Sequence, residues 1–320
     1  MKGDGGKPLT RPVPLGRRSI AMLLVITAIG AVAFGWPLLA DPSSTLAGHS
    51  TDAPWLFALL MPLLLAVVIA QISEGRSGGG AGLDAKSVAL LGVLAAAGAA
   101  LRPLGAGTAG LEPMFFLMVL AGRVLGPGFG FVLGSVTMFA SALLTGGVGP
   151  WLPFQMLGMG WVCLGAGLLP GPARVRGRAE LLLLAGYGAL AAVAYGTVMN
   201  LQFWPYLGVG LPPALSFDSA AGLGTNLAHF LAYCLATSLG WDLPRAVLTA
   251  VLCLTVGGPI LRALRRSVRR AAFDAPVGFE DAREPAQPCF GPVDCTTSKD
   301  HSVEPDAAGF GCPPSALGGP

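Results

Sequence analysis

Long stretches of this chain pass without an ionised side chain, Ser19 to Ala40 among them. A buried α-helix in a soluble protein does not need so long an uncharged run, whereas a helix crossing the hydrocarbon core needs about 20 consecutive apolar residues. That feature limits the chain to structures that satisfy their backbone inside a bilayer. Composition agrees: 53% of residues are hydrophobic and 12% charged, against about 25% charged in ordinary globular chains. Mean hydropathy is +0.67. The 47 glycines show no collagen period and suit closely packed membrane helices.

Apolar runs predict spans near 19–40, 54–72, 86–101, 112–125, 127–146, 152–170, 180–203 and 244–264. The first is too long for the 7–15-residue apolar region of a cleavable signal. A ninth apolar stretch, 222–240, carries Asn226, His229, Tyr233, Thr237 and Ser238. Were it to span, the cluster Arg262, Arg265, Arg266, Arg269 and Arg270 would lie opposite Arg17 and Arg18, against the positive-inside rule. The expectation is therefore an outer-side excursion over 204–243, re-entrant or lying over the bundle, and eight spans with both termini cytoplasmic. Of the 18 basic residues before Ala271, 16 then lie inside; Arg102 and Arg245 alone fall outside.

The fold class expected is an all-α integral membrane protein. Its divisions are a cytoplasmic segment 1–18, two helices in 19–72, a Gly/Ser-rich linker 73–85, a six-helix core 86–270 and a tail 271–320. The tail, with eight acids against two bases, reads as disordered and cytoplasmic. The spacings of Cys289, Cys295 and Cys312 lack the close pairs of a zinc site, so no metal or cofactor is expected. No basic, aromatic-interleaved stretch suggests nucleic acid.

Gly105 to Gly110 matches G-x-G-x-x-G, but a dinucleotide site needs a strand before it and a Rossmann helix after it. The useful content is a small-residue loop containing Gly105, Gly107, Thr108 and Gly110, ending at Glu112-Pro113; Glu112 is either a cap for the following helix or a ligand contact. Gly126, Gly130 and Gly134 recur every four residues, the spacing that lets helix backbones approach closely. Ala85, Ala89, Gly92 and Ala96 line one face of a helix and suit docking of another helix. Polar and aromatic groups gather at the outer ends: Trp151, Phe154, Gln155 and Met159; Asn200, Gln202, Trp204 and Tyr206; Asn226 and His229. Tryptophans there are commonly interfacial anchors and His229 commonly a packing residue. Gln155 and Asn200 must face the bundle, because an unpaired amide in hydrocarbon costs several kcal/mol.

No catalytic motif occurs, no Walker A lysine, and no carboxylate midway along an expected span. Uphill transport would need energy from elsewhere.

The segments LAGRVLGPGFGFVLGSVTMFASALL (120–144), TGGVGPWLPFQMLGMGWVCLGAGLLP (145–170) and ATSLGWDLPRAVLTAVL (236–252) resemble the substrate-binding S component of energy-coupling factor (ECF) transporters. The resemblance covers roughly 86–270. It implies a six-helix membrane protein that binds a vitamin or similar micronutrient from outside and works with a transmembrane coupling subunit and a pair of ABC ATPases. It further implies that Ala85 and Ala89, extended by Gly92 and Ala96, dock on the coupling subunit. The ligand would meet Trp151, Phe154, Gln155, Met159, Asn200, Gln202, Trp204, Asn226 and His229, gated by the 105–112 loop. That cluster is nearly uncharged, which inclines the reading to a cobalamin-type corrinoid, ahead of riboflavin or a modified nucleobase. The rival readings are a self-sufficient secondary transporter of a small organic solute, and a membrane enzyme using Glu112, His229 or Asp242.

Overall fold

The computed structural model describes residues 17–39, 59–64, 66–68, 70, 85–105, 110–171, 174–204, 211–218 and 220–271. The Gly/Ser-rich linker up to residue 84, the acidic tail beyond residue 271, and Gly107 and Thr108 of the expected gate lie outside the described residues. Every regular element among those described is helical. They are α1 (Arg17–Leu39), α2 (Leu59–Val68), α3 (Ala85–Leu101), α4 (Met114–Leu125), α5 (Pro127–Thr145), α6 (Leu152–Leu168), α7 (Arg178–Phe203), α8 (Leu223–Tyr233), α9 (Leu239–Thr255) and α10 (Gly257–Ala271). Four of them, α1, α3, α5 and α7, are each long and apolar enough to cross a membrane, and the bent pair Leu223–Thr255 with Gly257–Val268 offers a fifth crossing. The chain is an all-α, multi-pass membrane protein.

Glycine sets the closest approach in the core. A Cβ at Gly130 would lie 2.8 Å from the Cys163 carbonyl oxygen, and one at Gly134 would lie 2.5 Å from that of Met159. At these positions α5 rests directly on the backbone of α6. Gly122 of α4 meets the Cys163 carbonyl in the same way. Gly126, the first of the four-residue series, does another job: at φ 92° it breaks the helix between α4 and α5. Pro127 then starts α5 at the helical position where a missing N–H costs nothing.

The helix α1, additional to the core expected from the resemblance, is bound into it. Phe34 meets Phe154 edge-on at 4.9 Å, and Trp161 donates its indole N–H to Thr27 Oγ1 at 3.2 Å.

The last two segments differ from expectation. Residues 222–240 are continuous with α9. α8 runs through a π-helical turn at Cys234–Ser238 directly into α9, carrying Pro244 inside it. The expected boundary at 243 therefore falls within a helix, and the expected span 244–264 is interrupted. α9 ends at Thr255, and the chain turns by 69° into α10. The cause is local: Pro259 has no N–H and its ring opposes the carbonyl of Thr255, four residues back, and Gly257-Gly258 permit the turn. α10 then lies with Leu261 and Leu264 buried and Arg262 and Arg266 exposed, an amphipathic helix.

Candidate binding site

One end of the bundle holds a polar cavity of about 230 Å³. It is lined by Arg102, Glu112, Met138, Gln155, Tyr195, Gly196, Met199, Asn200, Ser238, Trp241, Asp242 and Arg245. Four helices, α5, α6, α7 and α9, supply its walls, together with the residues that follow α3 and precede α4 and the π-helical turn before α9. Arg102 follows the last residue of α3, Gln155 opens α6, Asn200 lies in the last turn of α7, and Asp242 and Arg245 sit in the first turns of α9.

Two separate charged groups line this space. Arg102 donates from Nη2 to Gln155 Oε1 at 3.0 Å and from Nη1 to Ser141 Oγ at 3.3 Å. Arg245 donates from Nη1 to Asp242 Oδ1 at 2.7 Å and from Nε to Glu112 Oε2 at 3.2 Å. Its guanidinium also lies 5.2 Å from the centre of the Phe115 ring and 5.7 Å from that of Tyr195, within the range of a cation–π contact. Gly196 makes room for the pair, since a Cβ there would collide with the Asp242 carboxylate. Asn200 donates to Ser238 Oγ at 2.5 Å, across to the π-helical turn that precedes α9.

The structure brings together some of the sequence-derived candidates and separates others. Gln155 and Asn200 line the cavity, as does Glu112. Glu112 reaches Arg245 with its side chain, while its carbonyl accepts from the Phe115 N–H at 3.4 Å. Gly110, at φ 86°, abuts the backbone carbonyl of Trp241, and Gly105 is buried against the Leu111 carbonyl, so both described ends of the small-residue loop pack beside the cavity.

The remaining candidates lie elsewhere. Phe154 and Met159 are fully buried in the helix packing. Trp151 donates to the Gly147 carbonyl at 3.1 Å, holding the loop ahead of α6. Trp204, Asn226 and His229 stabilise the 211–222 segment. The Trp204 indole N–H donates to the Leu215 carbonyl at 2.7 Å, and its ring packs on Phe217 and Phe230. Asn226 Nδ2 donates to the carbonyls of Asp218 and Ala221, while its Oδ1 accepts from the Asp218 N–H. His229 Nδ1 lies 3.0 Å from the Ser216 carbonyl oxygen. Gln202 is 2% exposed and does not line the cavity.

The expectation of a nearly uncharged cluster is therefore corrected. It assumed that aromatic and amide residues from three outer segments converge, whereas the geometry places two arginines and two carboxylates around the space. Arg102, Asp242 and Arg245 were absent from the binding set read off the sequence. A signal for two of them was present: they are the two bases that the charge rule leaves on the outer side.

On α3, Ala89, Gly92 and Ala96 are all exposed, and nothing lies within 4 Å of a Cβ built at Gly92. The opposite side, with Leu91, Leu94, Ala95 and Ala99, is buried.

A helical membrane protein whose glycine-packed core ends in a polar cavity is the class that the fold and the geometry define. The comparison with known families makes the class specific. The family described as ECF transporter, substrate-specific component, matches residues 86–257, more than half of the chain, and the chain belongs to that family. No curated protein and no solved structure matched it. The matched segment contains all twelve residues that line the cavity.

Proposed function

We propose that the cavity between Arg102 and Arg245 is where this substrate-specific component holds a small organic micronutrient. Delivery would then depend on a transmembrane coupling subunit and a pair of ABC ATPases. The observation that carries the proposal is the convergence of four helices and the ends of two neighbouring segments, all within the family-matched residues, on one polar cavity. In this reading both termini are cytoplasmic, the cavity opens outward, and the loop over 105–112 gates it. The exposed face of Ala89, Gly92 and Ala96, continued to Ala85, is the docking surface for the coupling subunit.

The corrinoid preference loses its support. It rested on a nearly uncharged cluster, and a volume of about 230 Å³ is below the roughly 300–1,000 Å³ of pockets for drug-sized ligands. A compact, charged or strongly polar ligand suits the site better than a corrin macrocycle.

The test is reconstitution. The chain would be placed in vesicles with and without its coupling subunit and ATPases, and uptake of the compound that co-purifies with it measured. ATP-dependent uptake that requires the partners supports the proposal, and replacing Ala89 with tryptophan should abolish it while leaving binding intact. Uptake by the chain alone on an ion gradient would instead establish a secondary transporter.

A further inference from the structure

Taking the cavity as the binding site, the distribution of its charges identifies a class of ligand. Arg102 and Arg245 line the same cavity with different company. Arg245 is shared by two carboxylates, Asp242 and Glu112, so with all three ionised that wall carries a formal charge of −1. Arg102 is bonded to two neutral groups, Ser141 and Gln155, and among the described residues no carboxylate forms a salt bridge with it. That wall carries +1. A guanidinium has five N–H donors, and the two bonds formed leave the others for a guest. An uncompensated cation at the edge of a low-dielectric bundle is costly, and a ligand anion would remove that cost. Around Arg245 one guanidinium does not neutralise two carboxylates, and the surplus negative charge favours a ligand cation.

We infer that the cavity takes a small zwitterion, its anionic group against Arg102, Gln155 and Ser141 and its protonated amine against Asp242 and Glu112. The aromatic rings of Tyr195 and Trp241 and the side chains of Met138 and Met199 would cover an apolar body between the two poles. Size agrees with the charge pattern. At about 30 Å³ per water, 230 Å³ corresponds to a guest on the order of ten heavy atoms. The wall-to-wall polarity also supplies discrimination, because a guest lacking either charge leaves one pole buried and unpaired, and such losses are large.

The experiment uses the full chain in lipid nanodiscs and three panels of probes at equal concentration: the free protein amino acids, their N-acetyl derivatives and their methyl esters. Retained compounds are identified by mass spectrometry, and affinities are measured by titration. The expected result is retention confined to free amino acids. The N-acetyl and ester forms of any retained compound should bind at least tenfold more weakly. Arg102→Gln and Asp242→Asn should each lower affinity at least tenfold with the unfolding temperature little changed, and Arg102→Lys should recover part of the loss. Retention of a singly charged or neutral compound in the same cavity would overturn the zwitterion and leave the binding-subunit reading standing. Retention that neither substitution alters would overturn the assignment to these walls. Retention of nothing from the zwitterion panel at millimolar concentration would reject the class as drawn. Failure of ATP-dependent uptake with partners present is a separate result that bears on the transporter reading alone.

Discussion

The two ends of the helix bundle each hold a trio of charged side chains, and the trios are near mirror images in composition. At the cavity end, one arginine, Arg245, is shared by Asp242 and Glu112. At the other end one carboxylate, Glu180, is shared by Arg123 at 2.9 Å and Arg265 at 2.6 Å. The environments differ. The Arg123 and Glu180 side chains are each 2% exposed, and Arg123 spends a further donor on the Leu169 carbonyl at 3.1 Å. The members of this trio tie α4, α7 and α10 together, so that network is a fastening. The cavity-end trio faces open space and a second arginine without a carboxylate of its own. Equivalent chemistry is closed over at one end and left facing open space at the other.

Replacement of Glu180 should have the largest effect on stability. Glu180→Ala leaves Arg123 buried without its anion, a change that costs about 3–5 kcal/mol, to be read from unfolding in detergent. A loss no greater than that of an exposed-residue control would break the distinction between the two ends. Overpacking comes next: Gly134→Ala forces a methyl against the Met159 backbone and should cost about 1–3 kcal/mol. At the cavity end, Gly196→Ala should act differently. It displaces the Asp242 carboxylate, so ligand affinity should fall at least tenfold, a greater change than its effect on unfolding. Equal effects on both would show the Asp242–Arg245 pair to be a second fastening. Trp204→Phe removes one hydrogen bond from the 211–222 segment, worth about 0.5–1.5 kcal/mol, and should leave affinity unchanged. Smallest is Ala89→Trp on the exposed face of α3, where stability should move by less than about 0.5 kcal/mol while coupled uptake is lost.

The helical, membrane-spanning character was legible because apolar run length is a one-dimensional signal. The four-residue glycine spacing similarly announced the close contact of α5 with α6. The end of the last span was not legible, because 222–240 and 244–264 were weighed as separate runs. Only the three-dimensional path shows a π-helical turn carrying α8 into α9 and Pro259 ending the helix at Thr255. At the site, Gln155 and Asn200 were recoverable from the cost of burying amides. Trp204, Asn226 and His229 were not separable from ligand contacts by sequence, since a group that holds a loop carbonyl and one that holds a guest belong to the same residue types. Arg102 and Arg245 had a signal, their exclusion from the inner-side charge count, but nothing in one dimension places residues 143 positions apart around one cavity.

The most direct measurement compares small molecules extracted from the wild-type chain, from Asp242→Asn and from His229→Ala, each purified under identical conditions and quantified by mass spectrometry. Retention of a compound near one-to-one by the wild type and by His229→Ala, with loss from Asp242→Asn, is the outcome expected if the charged cavity holds the substrate. Loss from His229→Ala with full retention by Asp242→Asn would contradict it and move the site to the loop cluster around Trp204 and Asn226.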